Sequence, residues 1–150
     1  MKRKMKRRLC SLLLGLVLLS LCLAGCVSQQ RQLEESQSYL AAHRELLEAL
    51  ATQCQEEGRL PADLPGELED AALYYDYATG MVQIQVGAWG LAPSSTHWGV
   101  YFSPEDSPLP YDGAQVSLTP QGQGFAWERE GNTGYTQRLE QGWYFFTASF

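Results

Sequence analysis

The apolar positions change their period once along this chain, and the change divides it. Between Ser28 and Glu57, Leu33, Leu40, Leu47 and Cys54 recur every seven positions, and Tyr39, His43, Leu46 and Leu50 widen the same stripe. Glu34, Glu35, Arg44, Glu45, Glu48 and Glu56 occupy the opposite arc. This is the pattern of an amphipathic helix with a period near 3.6. No Pro or Gly interrupts it, Gly58 suits the position just past a helix end, and Pro61 forbids continuation. Ser36, Tyr39 and His43 lie inside the stripe, which favours a helix docked on its own sheet over a homodimeric zipper. His43 reads as a partly buried structural residue.

Residues 58–70 form a connector punctuated by Pro61, Pro65 and Gly66, with room for a short helical turn after Pro65. From Leu73 the period becomes two. Thr79-Gly80 falls between two alternating runs, and a two-residue loop there pairs Leu73 with Val86, Tyr75 with Ile84 and Tyr77 with Val82 on one face. The other face then pairs Tyr74 with Gln85 and Asp76 with Gln83. Residues 87–95 read as a loop or a bent strand end, and Thr96–Ser103 alternates, with Trp98, Val100 and Phe102 on one side. A long turn with three prolines, 103–113, precedes a short strand in which Ala114, Val116 and Leu118 alternate with polar residues. The turn at 119–124 leads to a strand beginning at Phe125 and Trp127. Gly131-Asn132 and Gln141-Gly142 then set off strands at Thr133–Leu139 and Trp143–Phe150. Connections this short require antiparallel neighbours. The expected fold is α+β: one long N-terminal amphipathic helix followed by a curled antiparallel meander of about five to seven short strands.

What precedes the helix concerns location. Six basic residues stand within Met1–Arg8, and a largely apolar run of 15 residues extends from Leu9 to Leu23. A basic head, a short apolar segment and a small-residue exit are the parts of an export signal. At the exit stands Leu23-Ala24-Gly25-Cys26, which resembles the lipobox of a bacterial lipoprotein signal peptide. That resemblance covers residues 1–26. It implies a signal peptide over 1–25, a diacylglyceryl thioether on Cys26, and the membrane as a partner through that lipid. Joined to the elements read above, this gives a lipid-anchored helix over 26–57, the connector 58–70 and an antiparallel sheet over 71–150 that forms one domain with the helix. The apolar run is short of the roughly 20 residues of a bilayer span. Counted on to Val27 it reaches 19 residues, so a retained anchor is the second reading. Either way the basic residues hold the N-terminal end in the cytoplasm and the rest lies outside it. The segment 90–107 and the ending Trp143-Tyr144-Phe145-Phe146 are loosely similar to small exported proteins of Gram-positive bacteria, a likeness that brings no activity with it.

Charge sharpens this picture. After Cys26 only Arg31, Arg44, Arg59, Arg129 and Arg138 remain basic, against all 17 acidic residues. The five against 17 give a formal charge of −12, and no lysine is left. Such a surface repels phosphate backbones, so nucleic acid is not an expected partner. Cys10 and Cys22 leave with the signal and Cys26 is lipidated in this reading. Cys54 is then the last thiol, and no intramolecular disulfide can form. It reads as a small apolar residue on the helix face.

Candidate chemistry is sparse. Two isolated histidines and one thiol do not make a zinc or iron site. Glu105, Asp106 and Asp112 lack the spacing of a calcium loop, so neither a metal nor another cofactor is expected. Ser94, Ser95 and His97 are close in sequence without a nucleophile-elbow pattern. Gly122-Gln123-Gly124 lacks the rest of a phosphate or dinucleotide loop. No catalytic residue is assigned and the chain is not read as an enzyme. The aromatic content is the remaining signal. The region from Trp89 to Tyr101, where a Gly/Ser/Pro-rich loop meets a strand carrying His97 and Trp98, is the expected binding patch, with Trp89, His97, Trp98 and Tyr101 as its residues. The expected function is a membrane-tethered, non-enzymatic module that binds a protein or glycan at the cell envelope. The alternatives are an accessory subunit assembling through its helix and, last, a small hydrolase. Oligomeric state is not legible.

Overall fold

A computed structural model of the chain describes residues 29–91 and 93–150. The expected signal segment, 1–25, and Cys26 lie outside the described residues. The chain divides into two compact units, 1–31 and 32–150. Of the first, only 29–31 are described, and they are helical. Everything below concerns the second, which is α+β with a seven-stranded antiparallel sheet.

Helix α1 covers residues 32–42 and helix α2 covers Arg44–Glu57. Between them the helix bends at His43, whose φ of −114° departs from helical values while its N–H still reaches Tyr39 O at 3.0 Å. The imidazole Nδ1 bonds the same carbonyl at 3.0 Å, and the ring lies 4.3 Å from the Tyr39 ring. A side-chain donor that competes for a helical carbonyl accounts for the bend. Gly58 closes α2 in the left-handed conformation, its N–H on Cys54 O at 2.9 Å.

The strands are β1 (Leu73–Tyr75), β2 (Val82–Leu91), β3 (Ser94–Phe102), β4 (Thr119–Gln121), β5 (Gly124–Arg129), β6 (Asn132–Glu140) and β7 (Trp143–Ser149). Their spatial order is β1-β2-β3-β7-β6-β5-β4. Two meanders, β1–β3 and β4–β7, are thus joined through β3 and β7, in place of a single continuous meander. The segment 103–118 crosses from β3 to the far edge and places β4 there. Several strands are longer than expected, β2 reaching 10 residues.

The first hairpin differs in register from the sequence expectation. Leu73 pairs with Ile84, Tyr74 with Gln83 and Tyr75 with Val82. The register is two residues off, because the loop holds Asp76–Met81 and not Thr79-Gly80 alone. Asp76 organises that loop: its N–H bonds Met81 O, its carbonyl accepts from Gly80 N–H, and its carboxylate accepts from Ala78 N–H and Thr79 Oγ1. Tyr77 consequently sits in the loop, 79 % exposed, and not on the apolar face. A slip of two leaves every other side chain on its expected side. Likewise 114–118 form no strand, and Thr119–Gln121, expected as a turn, forms edge strand β4 around Pro120. An edge tolerates proline's missing N–H.

The helices lie on one face of the sheet. Leu40, Leu47, Leu50, Ala51 and Cys54 form one core with Leu68, Val82, Ile84, Val100 and Trp143. Leu47 and Cys54 are fully buried, so the helical stripe is consumed within the chain. Burial also pushes the Cys54 thiol up, with Glu57 adding to it, which leaves it a poor nucleophile. Arg44 pairs with Glu140 through both Nη atoms, the longer contact being 2.7 Å. Met81, Tyr101, Tyr144 and Phe146 form a second core on the opposite face. The crossing segment covers it, with Leu109 and Tyr111 packed against those residues. No helix among the described residues is long and apolar enough to cross a membrane.

Candidate functional site

Alternation along β3 sends its side chains to two different faces. Thr96, Trp98 and Val100 point to the helix face, and Ser95, His97 and Tyr101 point away from it. Trp89 pairs with Thr96 and shares its face. The four expected binding residues are therefore split between the two sides.

Trp89 is 76 % exposed near the tip of the β2–β3 hairpin, beside Leu91 at 86 %. Trp98 is half-buried, with its indole N–H on Glu35 Oε2 at 3.1 Å. Its ring occupies the space above Gly87, where a Cβ would stand 2.4 Å from Cζ2. Tyr101 is 1 % exposed. Its hydroxyl bonds Thr136 Oγ1 at 2.6 Å and accepts from Leu109 N–H at 2.8 Å. It has no surface to offer a ligand.

The convergence is around His97. Its Nδ1 lies 2.8 Å from Gln85 Oε1, which fixes a proton on Nδ1 because the amide oxygen can only accept. Its Nε2 lies 3.1 Å from the Ser95 hydroxyl. Ser95 and His97 stand two apart on one strand and so share a face. The crossing segment adds Asp112 and Tyr111. Gln83 Nε2 donates to Asp112 Oδ1 at 2.9 Å, and Gln83 Oε1 accepts from Asp112 N–H at 3.2 Å. This double bond holds Asp112 at a φ of 50°, a left-handed conformation that Asp tolerates better than most residues. Loss of water on one side raises the Asp112 carboxyl above its ordinary range, while the Gln83 amide and His97 act the other way. The Tyr111 and Phe150 rings lie 5.4 Å apart, and the His97 ring is 5.7 Å from Phe150 and 6.5 Å from Tyr111.

The result is a half-buried patch of neutral donors and acceptors with one carboxylate, framed by two aromatic rings. Ser95, His97 and Gln85 form a hydroxyl–imidazole–amide chain. In the Ser-His-Asp arrangement the third member is a carboxylate; here the amide of Gln85 stands in that place, and the Asp112 carboxylate bonds Gln83. Among the described residues no three His, Cys, Asp or Glu side chains are grouped to hold a metal. Of these residues the sequence pattern assigns only His97 to the binding patch; Ser95 and Asp112 are weighed there for other chemistry and set aside. Ser95 had a legible signal in its two-residue spacing from His97. Gln85, Tyr111, Asp112 and Phe150 had none, since the crossing segment and the chain end bring in the last three.

No protein-family model, curated protein or solved structure matches the chain.

Proposed function

We propose that this chain is an extracytoplasmic lipoprotein, tethered through lipid on Cys26, whose face around His97 binds a neutral glycan at the cell envelope. The tether rests on the basic head, the apolar run and Leu23-Ala24-Gly25-Cys26. In this reading the amphipathic helix is a mount, with only five residues between Cys26 and Gln32, and the sheet curls over it as the binding module. The observation that supports binding is the convergence of Ser95, His97, Gln85 and Asp112 with the rings of Tyr111 and Phe150. Neutral sugars present hydroxyls to amide, imidazole and carboxylate groups and C–H faces to aromatic rings. No Lys, Arg, Asp or Glu occurs between Tyr77 and Pro104, so the strands beneath the patch offer nothing to select an anion.

Two measurements test this. Metabolic labelling with an alkyne fatty acid should mark the wild-type chain and not Cys26→Ala; label that persists in the variant refutes the lipid site. Calorimetric titration with neutral N-acetylhexosamine oligosaccharides should detect binding that weakens at least tenfold in His97→Ala and Asp112→Ala. Absence of any binding, or equal affinity in both variants, refutes the glycan reading.

A further inference from the structure

The β2–β3 hairpin ends in an apolar tip on the surface of an otherwise acidic chain. Trp89 and Leu91 stand two apart on β2 and share a face, and they are among the most exposed large apolar side chains. The hairpin outruns β1, which pairs with β2 only from Leu73–Ile84 to Tyr75–Val82, while β2 and β3 stay paired to Leu91–Ser94. On its other side, backbone bonds between Ser95 and Phe150 carry the contact with β3 to within one residue of Ser94. The 28 residues from Tyr77 to Pro104 contain no Lys, Arg, Asp or Glu. Single exposed apolar residues are ordinary; an uncharged, protruding hairpin carrying Trp and Leu on one side asks for an apolar neighbour.

The direction of the helix identifies that neighbour. At its N-terminal end, Gln32 accepts from Thr147 Oγ1 at 2.9 Å and Glu35 from Trp98 Nε1 at 3.1 Å. Further on, Arg44 pairs with Glu140 beside the start of β7, and Gln55 bonds Gly80 O. The helix therefore runs away from the hairpin tip, and its N-terminus points toward the end of the domain where Trp89 and Leu91 lie. Leu91 pairs with Ser94, four residues from Trp98, which places the tip about 14 Å beyond Trp98. Six residue steps separate Gln32 from Cys26, a reach of at most about 20 Å. A lipid on Cys26 thus holds this end of the domain close to the bilayer.

We infer that the hairpin tip inserts Trp89 and Leu91 into the membrane interface beside the lipid anchor, as a second, non-covalent attachment that fixes how the domain stands on the bilayer. The inference rests on the anchored reading above. Tryptophan favours the headgroup level, where its ring is buried and its N–H stays wet. A tip without carboxylates also avoids the repulsion that the acidic remainder meets at an anionic leaflet. The two acyl chains of a diacylglyceryl anchor already supply stable residence at the membrane, so what the tip adds is orientation.

The test uses the full chain in vesicles of phosphatidylcholine with brominated acyl chains, which quench tryptophan on contact. The protein should float with the vesicles, and a quenchable fraction of its fluorescence should disappear in Trp89→Phe while persisting in Trp98→Phe. Leu91→Asp should float equally well and reduce the quenching of Trp89 several-fold. Quenching that is the same in wild type and Trp89→Phe overturns the inference and leaves the anchor standing. Trp89 that is untouched by bromolipid yet shielded from iodide on intact cells assigns the tip to a protein partner and overturns it too. Failure to float refutes the anchor, and the inference falls with it.

Discussion

Trp98 and Gly87 face each other across β2 and β3, and the indole fills the volume a side chain at 87 would need. The same indole donates to Glu35, so one ring ties the sheet to the helix end. Gly87→Ala puts a Cβ at 2.4 Å from the ring and forces Trp98 off its site. The expected loss is about 1–3 kcal/mol in denaturant unfolding. In a double-mutant cycle with Trp98→Ala the cost of Gly87→Ala should shrink; unchanged additivity would show that the two do not share space.

The Tyr101 hydroxyl sits within a directed chain. Leu109 N–H donates to it, Tyr101 bonds Thr136 Oγ1, and Thr136 donates to Phe145 O at 3.0 Å. Tyr101→Phe strands the Leu109 donor and Thr136 under the crossing segment. A destabilisation of about 1–3 kcal/mol is expected, together with faster proteolysis within 103–118. A variant as stable and as protease-resistant as wild type would show that the hydroxyl does not hold the segment down.

Asp106 fastens the other end of that segment. Its carboxylate accepts from Gly142 N–H at 2.8 Å and from Arg138 and Tyr144. The Gly142 N–H first, and Arg138 next, hold its carboxyl below the ordinary carboxylate range. A depressed folded value means that the unfolded chain takes up the proton first as pH falls. The contribution is complete above about pH 4, the ordinary Asp value, and is lost as pH falls through the lower folded one. Asp106→Asn should lower stability at pH 7 and flatten its decline as pH falls below about 4. Parallel acid-unfolding curves for the two proteins would remove Asp106 from the acid response.

Ser36 is fully buried on α1, and its Oγ has no hydrogen-bond partner among the described residues. A buried hydroxyl without a partner costs free energy on folding, and Ala is the better helix former. Ser36→Ala should stabilise the chain by about 1 kcal/mol in thermal and denaturant unfolding. A loss of stability instead would reveal a bond that this hydroxyl makes in solution.

The helical stripe was legible because Leu40, Leu47, Leu50 and Cys54 keep a 3.6 period and one core takes all four. The bend at His43 was not, since it depends on where the ring nitrogen finds a carbonyl. In the first hairpin the faces could be read and the register could not. Slips of two preserve the alternation, and the choice is made by the bonds Asp76 forms within its loop. Strand β4 was hidden by Pro120, a residue that excludes a central strand but suits an edge. At the site, the alternation on β3 was legible, with Trp98, Val100 and Phe102 on one side, and it separates His97 from Trp98. The arrival of Tyr111 and Asp112 was not, because nothing in a local pattern says where 16 residues of crossing chain will lie.

The order of the sheet also governs when it can close. Among the described residues β7 is the last strand in sequence, yet it lies between β3 and β6 and joins the two meanders. A chain emerging from its N-terminus holds β1–β3 with one bare edge and β4–β6 with another until Trp143–Ser149 arrives. Long-range pairing of this kind is slow to form and exposed while it waits. The final strand therefore acts as a timer: the arrival of Trp143–Ser149, and not of the first hairpin, lets the two meanders join into one sheet.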